Sequence, residues 1–192
     1  MGKIGVIILL LAVSCQQQPL YAQKHSDTAD DILQYVPYTS VLALKACGVE
    51  SRDGWVKLAV TTAASWVVTG SMGYVLKHTI HEERPDHTDM RSFPSGHSMF
   101  AFAGATMLRR EYGKASPWIP AAGYVLATTV AVNRVAHDRH HWYDALAGAG
   151  LGVVTGELTY WLSDLAFRKF AKKREHLAVA YMGNRLDVAV RW

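Results

Sequence analysis

Long uncharged segments alternate with short charged linkers along this chain. Leu58 to Leu76 runs 19 residues without a charge, Ser92 to Leu108 runs 17, and Ala115 to Asn133 another 19. Ala145 to Phe167 is apolar and rich in small residues, interrupted by Glu157 and Asp164. A weaker segment, Ile32 to Leu44, carries Pro37 inside it, and Gln23 to Asp31 before it is polar and reads as loose chain. These lengths suit helices, and those near 20 residues suit helices that cross a bilayer. Gly148, Gly150, Gly152 and Gly156 are predicted to let a neighbouring helix approach closely. At the end of the chain, His176 to Met182 and Arg185 to Trp192 alternate apolar and polar positions about Gly183-Asn184, the pattern of a β-hairpin. The pattern predicts an all-α membrane helical bundle of about five to six helices, with a small C-terminal hairpin as a cap.

The first residues read as a targeting segment. Lys3 precedes an apolar run, Ile4 to Val13, that is short for a span. Leu20-Tyr21-Ala22 fits cleavage after Ala22, while Ala12-Val13-Ser14-Cys15 is a looser lipoprotein box; retention as an anchor is the third option. The expected organisation is a signal peptide or anchor over 1–22, a helical domain over 32–175 and the hairpin over 176–192. A length of 192 residues, half of them apolar, suits one domain with a sizeable core. Cys15 and Cys47 make no disulfide framework or metal cluster. Basic residues do not interleave with aromatics as in single-strand nucleic-acid binders, so no nucleic-acid partner is expected.

Charge placement then orients the segments. Lys45, Arg52 and Lys57 follow the first apolar segment, Arg109, Arg110 and Lys114 follow the third, and Arg168, Lys169, Lys172, Lys173 and Arg174 follow the last. These alternate connections belong to one side of a bundle, cytoplasmic by the positive-inside rule. The remaining linkers would face the periplasm, provided Ile32 to Leu44 spans. The rival is a soluble helical protein whose basic linkers are merely solvated.

Three clusters in the remaining linkers carry chemistry. Pro94-Ser95-Gly96-His97 stands ahead of an apolar run, where the first N–H groups of a helix form an anion site. Ser95 adds a hydroxyl, Gly96 lets an oxyanion reach the backbone, and His97 shares the space. His140 and Asp144 are four apart, the spacing of one helical turn, so the carboxylate can fix the imidazole tautomer and leave the other nitrogen reactive. Lys77, Arg84 and Arg134 each end an apolar segment; singly that suits snorkelling, but together they suit phosphate. His137 and His141 are placed at the rim, or as a zinc pair that lacks partner ligands.

Lys77-(six residues)-Arg84-Pro85, then Pro94-Ser95-Gly96-His97, then Arg134-(five residues)-His140-(three residues)-Asp144, in this order, resemble the type 2 phosphatidic acid phosphatase superfamily. That family includes membrane lipid phosphatases, class A acid phosphatases and vanadium haloperoxidases. The resemblance implies that His140 attacks phosphorus, that Asp144 orients it, and that His97 protonates the leaving oxygen and then activates water. It implies that Lys77, Arg84 and Arg134 bind the phosphate oxygens with Ser95 and Gly96, with no metal and no cofactor. Asn133 departs from the serine usual before the third-motif arginine. The expectation is a lipid phosphatase of the bacterial inner membrane, its active site facing the periplasm. Lipid A, undecaprenyl pyrophosphate, phosphatidylglycerol phosphate and phosphatidic acid are the candidate substrates, the first two leading. The alternatives are a soluble periplasmic acid phosphatase with the same site, a haloperoxidase, and a non-catalytic lipid-binding protein.

Overall fold

A computed structural model describes residues 28–175, 177–182 and 185–190; the expected signal segment and Cys15 lie outside these residues. Six helices follow one another: α1 (Thr28–Leu33), α2 (Val36–Ala46), α3 (Trp55–Thr79), α4 (Gly96–Tyr112), α5 (Trp118–Ala136) and α6 (Trp142–Glu175). Two strands, β1 (Leu177–Met182) and β2 (Arg185–Val190), pair antiparallel with Met182 opposite Arg185. Gly183 and Asn184, the expected turn, lie outside the described residues.

Of the stretch Gln23 to Asp31, expected to be loose chain, Gln23 to Asp27 lie outside the described residues and the remainder is ordered. Thr28 to Leu33 is helical, and the chain breaks at Gln34 and Tyr35 before Pro37 opens α2 in its first turn. Proline suits that position because its missing N–H would have no intrahelical partner there. At 11 residues α2 rises about 16 Å, half of a bilayer core, so Ile32 to Leu44 is not a span.

The central element is α4, which packs against α2, α3, α5 and α6. Its contacts are close because the facing residues are small. A Cβ on Gly152 would lie 2.4 Å from the Met99 carbonyl oxygen, and one on Gly148 would lie 2.5 Å from that of Ser95. Gly156 meets Thr106 on the same face, whereas Gly150 faces open space and takes no part in the approach. Tyr38, Val41, Leu58, Met107, Tyr112 and Tyr160 fill the core on one side of α4, and Ala101, Ala105, Ala127 and Val130 fill it on the other.

No helix among the described residues is long and apolar enough to cross a membrane. The uncharged segments are helices where expected, but uncharged is not apolar. The inward face of α3 is Thr61, Ser65, Thr69 and Gly73, all buried, and these lower its hydropathy. Thr61 bonds Ser163 at 2.6 Å, Thr69 bonds Thr155 at 3.0 Å, and Tyr38 bonds Ser65 at 2.9 Å.

The basic linkers gather at one end of the bundle, where the charges that interrupt α6 are neutralised. Asp164 accepts from Arg52 and from Lys57 at 2.6 Å, and Glu157 pairs with Arg109 and with Arg110 at 3.1 Å. Buried Glu111 accepts from the Tyr160 hydroxyl at 2.7 Å and the Asp53 N–H at 3.0 Å. The helices run alternately up and down, so the far end collects the end of α3, the start of α4, the end of α5 and the start of α6.

Candidate active site

That far end holds all three polar clusters. Lys77 sits in the last turn of α3, and its Nζ donates to the Arg91 carbonyl at 2.8 Å. Its Cε lies 3.8 Å from where a Cβ on Gly96 would stand, so the ammonium flanks the first turn of α4. Arg84 lies in the loop between α3 and α4. Its Nε donates to Asp89 at 2.9 Å and its Nη1 to the Arg139 carbonyl at 3.1 Å, which ties the first cluster to the third. The N–H of Ser95 donates to the Asp144 carbonyl at 3.1 Å, which ties the second cluster to the third.

Ser95 is the N-cap of α4, and its Oγ accepts from the Ser98 N–H at 3.4 Å and the Ser98 hydroxyl at 3.1 Å. Pro94 therefore stands one residue outside the helix. The Ser95 N–H is taken by Asp144, so the anion site expected at this terminus reduces to the N–H groups of Gly96 and His97, which have no carbonyl one turn earlier to accept them. The His97 ring meets the Asp31 carboxylate at 2.8 Å from Nε2.

The third cluster differs from the helical pair that its spacing suggests. His140 precedes α6, in the loop opened by Asp138 at φ 53°. Its N–H donates to the Arg134 carbonyl at 3.2 Å, which folds the loop back over the end of α5. Asp144 is in the first turn of α6, where Oδ2 accepts from the His141 N–H at 2.9 Å, a carboxylate reaching back to cap its own helix. His140 Nδ1 lies 3.9 Å from that oxygen, too far for a hydrogen bond. The hydroxyl of Ser92 stands between them, donating to Asp144 Oδ2 at 2.5 Å and lying 3.5 Å from His140 Nδ1. Ser92 is completely buried and connects base and carboxylate. Nothing in its sequence context separates it from a loop serine.

His140 and Asp144 are buried, as is Arg134. Burial pushes the His140 imidazole well below its usual range, and the facing cations Arg84, Lys77 and Arg134 push it further. The ring is thus neutral at physiological pH, with Nδ1 turned to Ser92 and Nε2 left for chemistry. Burial, with Arg84 facing it, lowers Lys77 to about 8. Arg134 meets the carboxylate of Asp30 on α1, and His137 meets the same carboxylate at 3.3 Å. His141 is not a free rim group either: Nε2 lies 3.2 Å from the Glu83 carbonyl, and the ring stacks on Tyr143.

One group among the described residues brings three possible metal ligands within 4.8 Å of one another, namely Glu82, His141 and Asp144. Each of them already has a protein partner, since Glu82 accepts from the Tyr143 hydroxyl at 2.5 Å. His137 lies outside this group and meets Asp30, while His141 meets the Glu83 carbonyl, so the two imidazoles have separate partners.

Buried imidazole, carboxylate, converging cations and a helix N-terminus define a site suited to an anion. The chain belongs to the PAP2 superfamily, whose model matches residues 54–168. It is 39% identical over 154 residues to a lipid A 1-phosphatase of Porphyromonas gingivalis, covering 76% of this chain and 35% of that protein. It is 28% identical over 133 residues to a decaprenylphosphoryl-5-phosphoribose phosphatase of Mycolicibacterium smegmatis, covering 57% of this chain and 70% of that protein. The chain thus spans about a third of the length of the lipid A phosphatase. Its fold resembles the crystal structure of Aquifex aeolicus LpxE with a TM-score of 0.55 and 19% identity, over 70% of this chain and 84% of that one.

Proposed function

We propose that this protein is a lipid phosphatase that hydrolyses a phosphomonoester or pyrophosphate through a phosphohistidine, with lipid A 1-phosphate as the leading substrate. The observation that carries the proposal is the convergence of Lys77, Arg84, Arg134, His97 and a neutral, buried His140 at one end of the bundle. The relative that acts on lipid A favours that substrate over undecaprenyl pyrophosphate, phosphatidylglycerol phosphate and phosphatidic acid.

Chemistry follows from the two nitrogens of His140. Nε2 attacks phosphorus as the bond to the lipid oxygen breaks, and His97 gives that oxygen its proton. The Nδ1 side faces the Ser92 hydroxyl and, through it, Asp144, which balances the charge that grows on the ring. Water then attacks the phosphohistidine, His97 takes its proton, the P–N bond breaks, and orthophosphate leaves. Lys77, Arg84, Arg134 and the Gly96 N–H stabilise the equatorial oxygens, which is where negative charge accumulates.

A membrane setting is supported by the inverted polarity of the bundle. Small hydroxyl residues face inward on α3, while Val56, Val60, Trp66, Val67 and Val75 face outward. Val125 and Val132 on α5, with Leu146, Val154 and Trp161 on α6, extend the exposed apolar surface. The positive-inside rule would put the end rich in Lys and Arg in the cytoplasm and the active site in the periplasm, whereas an exported N-terminus without a span at Ile32 to Leu44 would reverse the two. Among the described residues no helix is apolar enough to span; the second setting is a soluble periplasmic acid phosphatase with the same site.

A phosphate-release assay of the purified protein against the four lipids and p-nitrophenyl phosphate tests the activity. Preferential release from lipid A is expected, and release from the soluble ester alone would refute the lipid reading.

A further inference from the structure

The polar groups of the site do not end with the three clusters. Adjacent residues on α1 reach two of them. Asp30 is 2% exposed, and both its carboxylate oxygens are engaged by the end of α5: Oδ1 accepts from Asn133 at 3.2 Å, and Oδ2 lies 3.4 Å from Arg134 Nη1 and 3.3 Å from His137 Nδ1. Asp31 turns to the other side and meets His97 Nε2 at 2.8 Å. A buried carboxylate is costly unless paired, so its position is held by these partners and holds them in turn.

We propose that the Asp30–Asp31 pair completes the phosphate site, Asp30 positioning the Arg134 fork and Asp31 orienting His97. The inference rests on the phosphatase reading above. An arginine works as a bidentate clamp only while its plane is held, and Asp30 holds it from the side. Asn133 closes the same carboxylate, so its side chain matches Asp30. Asp31 occupies Nε2 of His97, which leaves Nδ1 as the nitrogen that gives and takes the proton. The titratable and charged groups facing His97 are Asp31 and Asp30 from α1, Arg134 from α5 and the neutral His140 ring from the α5–α6 loop. Burial, with Arg134 facing it, holds the His97 imidazole below its usual range, and the Asp31 contact works against that shift, so Asp31 supports the protonated acid of the first step.

The test compares Asp30→Asn, Asn133→Ala and Asp31→Asn with wild type, using p-nitrophenyl phosphate turnover, orthophosphate affinity by calorimetry, and Tm. Asp30→Asn is expected to lower kcat about 10- to 100-fold and to weaken orthophosphate binding. Asn133→Ala, which keeps Asp30 itself, is expected to reproduce part of both losses and serves if Asp30→Asn does not fold. Asp31→Asn is expected to move the alkaline fall of kcat to lower pH by about half a unit or more, because the imidazolium loses its carboxylate. A fall in Tm with kcat, orthophosphate affinity and pH profile unchanged would overturn the inference. So would a gain in kcat with tighter orthophosphate binding, since the carboxylate would then be competing for the phosphate's place. Wild type that binds orthophosphate but releases none from any ester would instead refute the phosphatase reading and leave the Asp30 affinity comparison intact.

Discussion

At the residue scale, the buried Ser92 hydroxyl is the connection that makes His140 and Asp144 a working pair. Its loss leaves His140 Nδ1 facing a gap 3.9 Å from the carboxylate. Ser92→Ala is therefore expected to lower kcat about 10- to 100-fold with little change in KM. His140→Ala is expected to abolish phosphate release from every substrate while near-native circular dichroism persists; unchanged turnover would remove His140 from the mechanism. Lys77 supplies a pH signature. Its ammonium, lowered to about 8 by burial and the facing Arg84, is charged below that pH and neutral above it. Positive charge at the phosphate is thus lost as pH rises, so kcat/KM of the free enzyme, already falling at lower pH as His97 loses its proton, is expected to show a further fall through about pH 8. Lys77→Arg should displace that limb upward.

Helices α4 and α6 carry the site because they are pressed together, and the geometry of that contact decides the geometry of catalysis. A methyl at Gly148 would meet the Ser95 carbonyl oxygen at 2.5 Å, and the same turn bears the bond from Ser95 N–H to Asp144. Gly148→Ala must push the two helix starts apart and separate His97 from His140. Expected are a stability loss of about 1–3 kcal/mol, read by urea unfolding, and a larger fall in kcat than that loss explains. Gly150→Ala, two residues on and facing open space on the other side of α6, is the control and should leave both values near wild type.

Over the whole molecule, the two ends do separate work. Asp164 holds Arg52 and Lys57 at the end remote from the site, with side chains 21%, 31% and 20% exposed. Asp164→Asn is expected to cost about 1 kcal/mol or less, because such pairs are screened, and to leave kcat unchanged. Between the ends, the outward valines and tryptophans set the environment. Extraction of membranes with alkaline carbonate distinguishes the two settings: retention in the pellet is expected, and release into the supernatant would establish the water-borne form.

Charge and hydrophobic pattern alone determined a great deal. The uncharged runs became helices in place, the alternation of linkers put Lys77, Ser95, His97, Arg134 and His140 at one end, and the motif spacing pointed to phosphate. These are legible because a helix has a fixed rise and a buried charge needs a purpose. What the tertiary structure decided is everything carried by contact. Spacing of four suggested a helical His140–Asp144 pair, but His140 lies in a loop, because Asp144 is already engaged in capping α6 and Ser92 fills the gap. Polar Asp30 and Asp31 looked like loose chain, since nothing local shows that α1 will meet the end of α5 and the start of α4. Nor does a count of uncharged residues reveal that Thr61, Ser65 and Thr69 point inward and leave the helix short of the apolarity a span requires. Pattern fixes periodicity along one element; which side chains satisfy one another is settled only where elements meet.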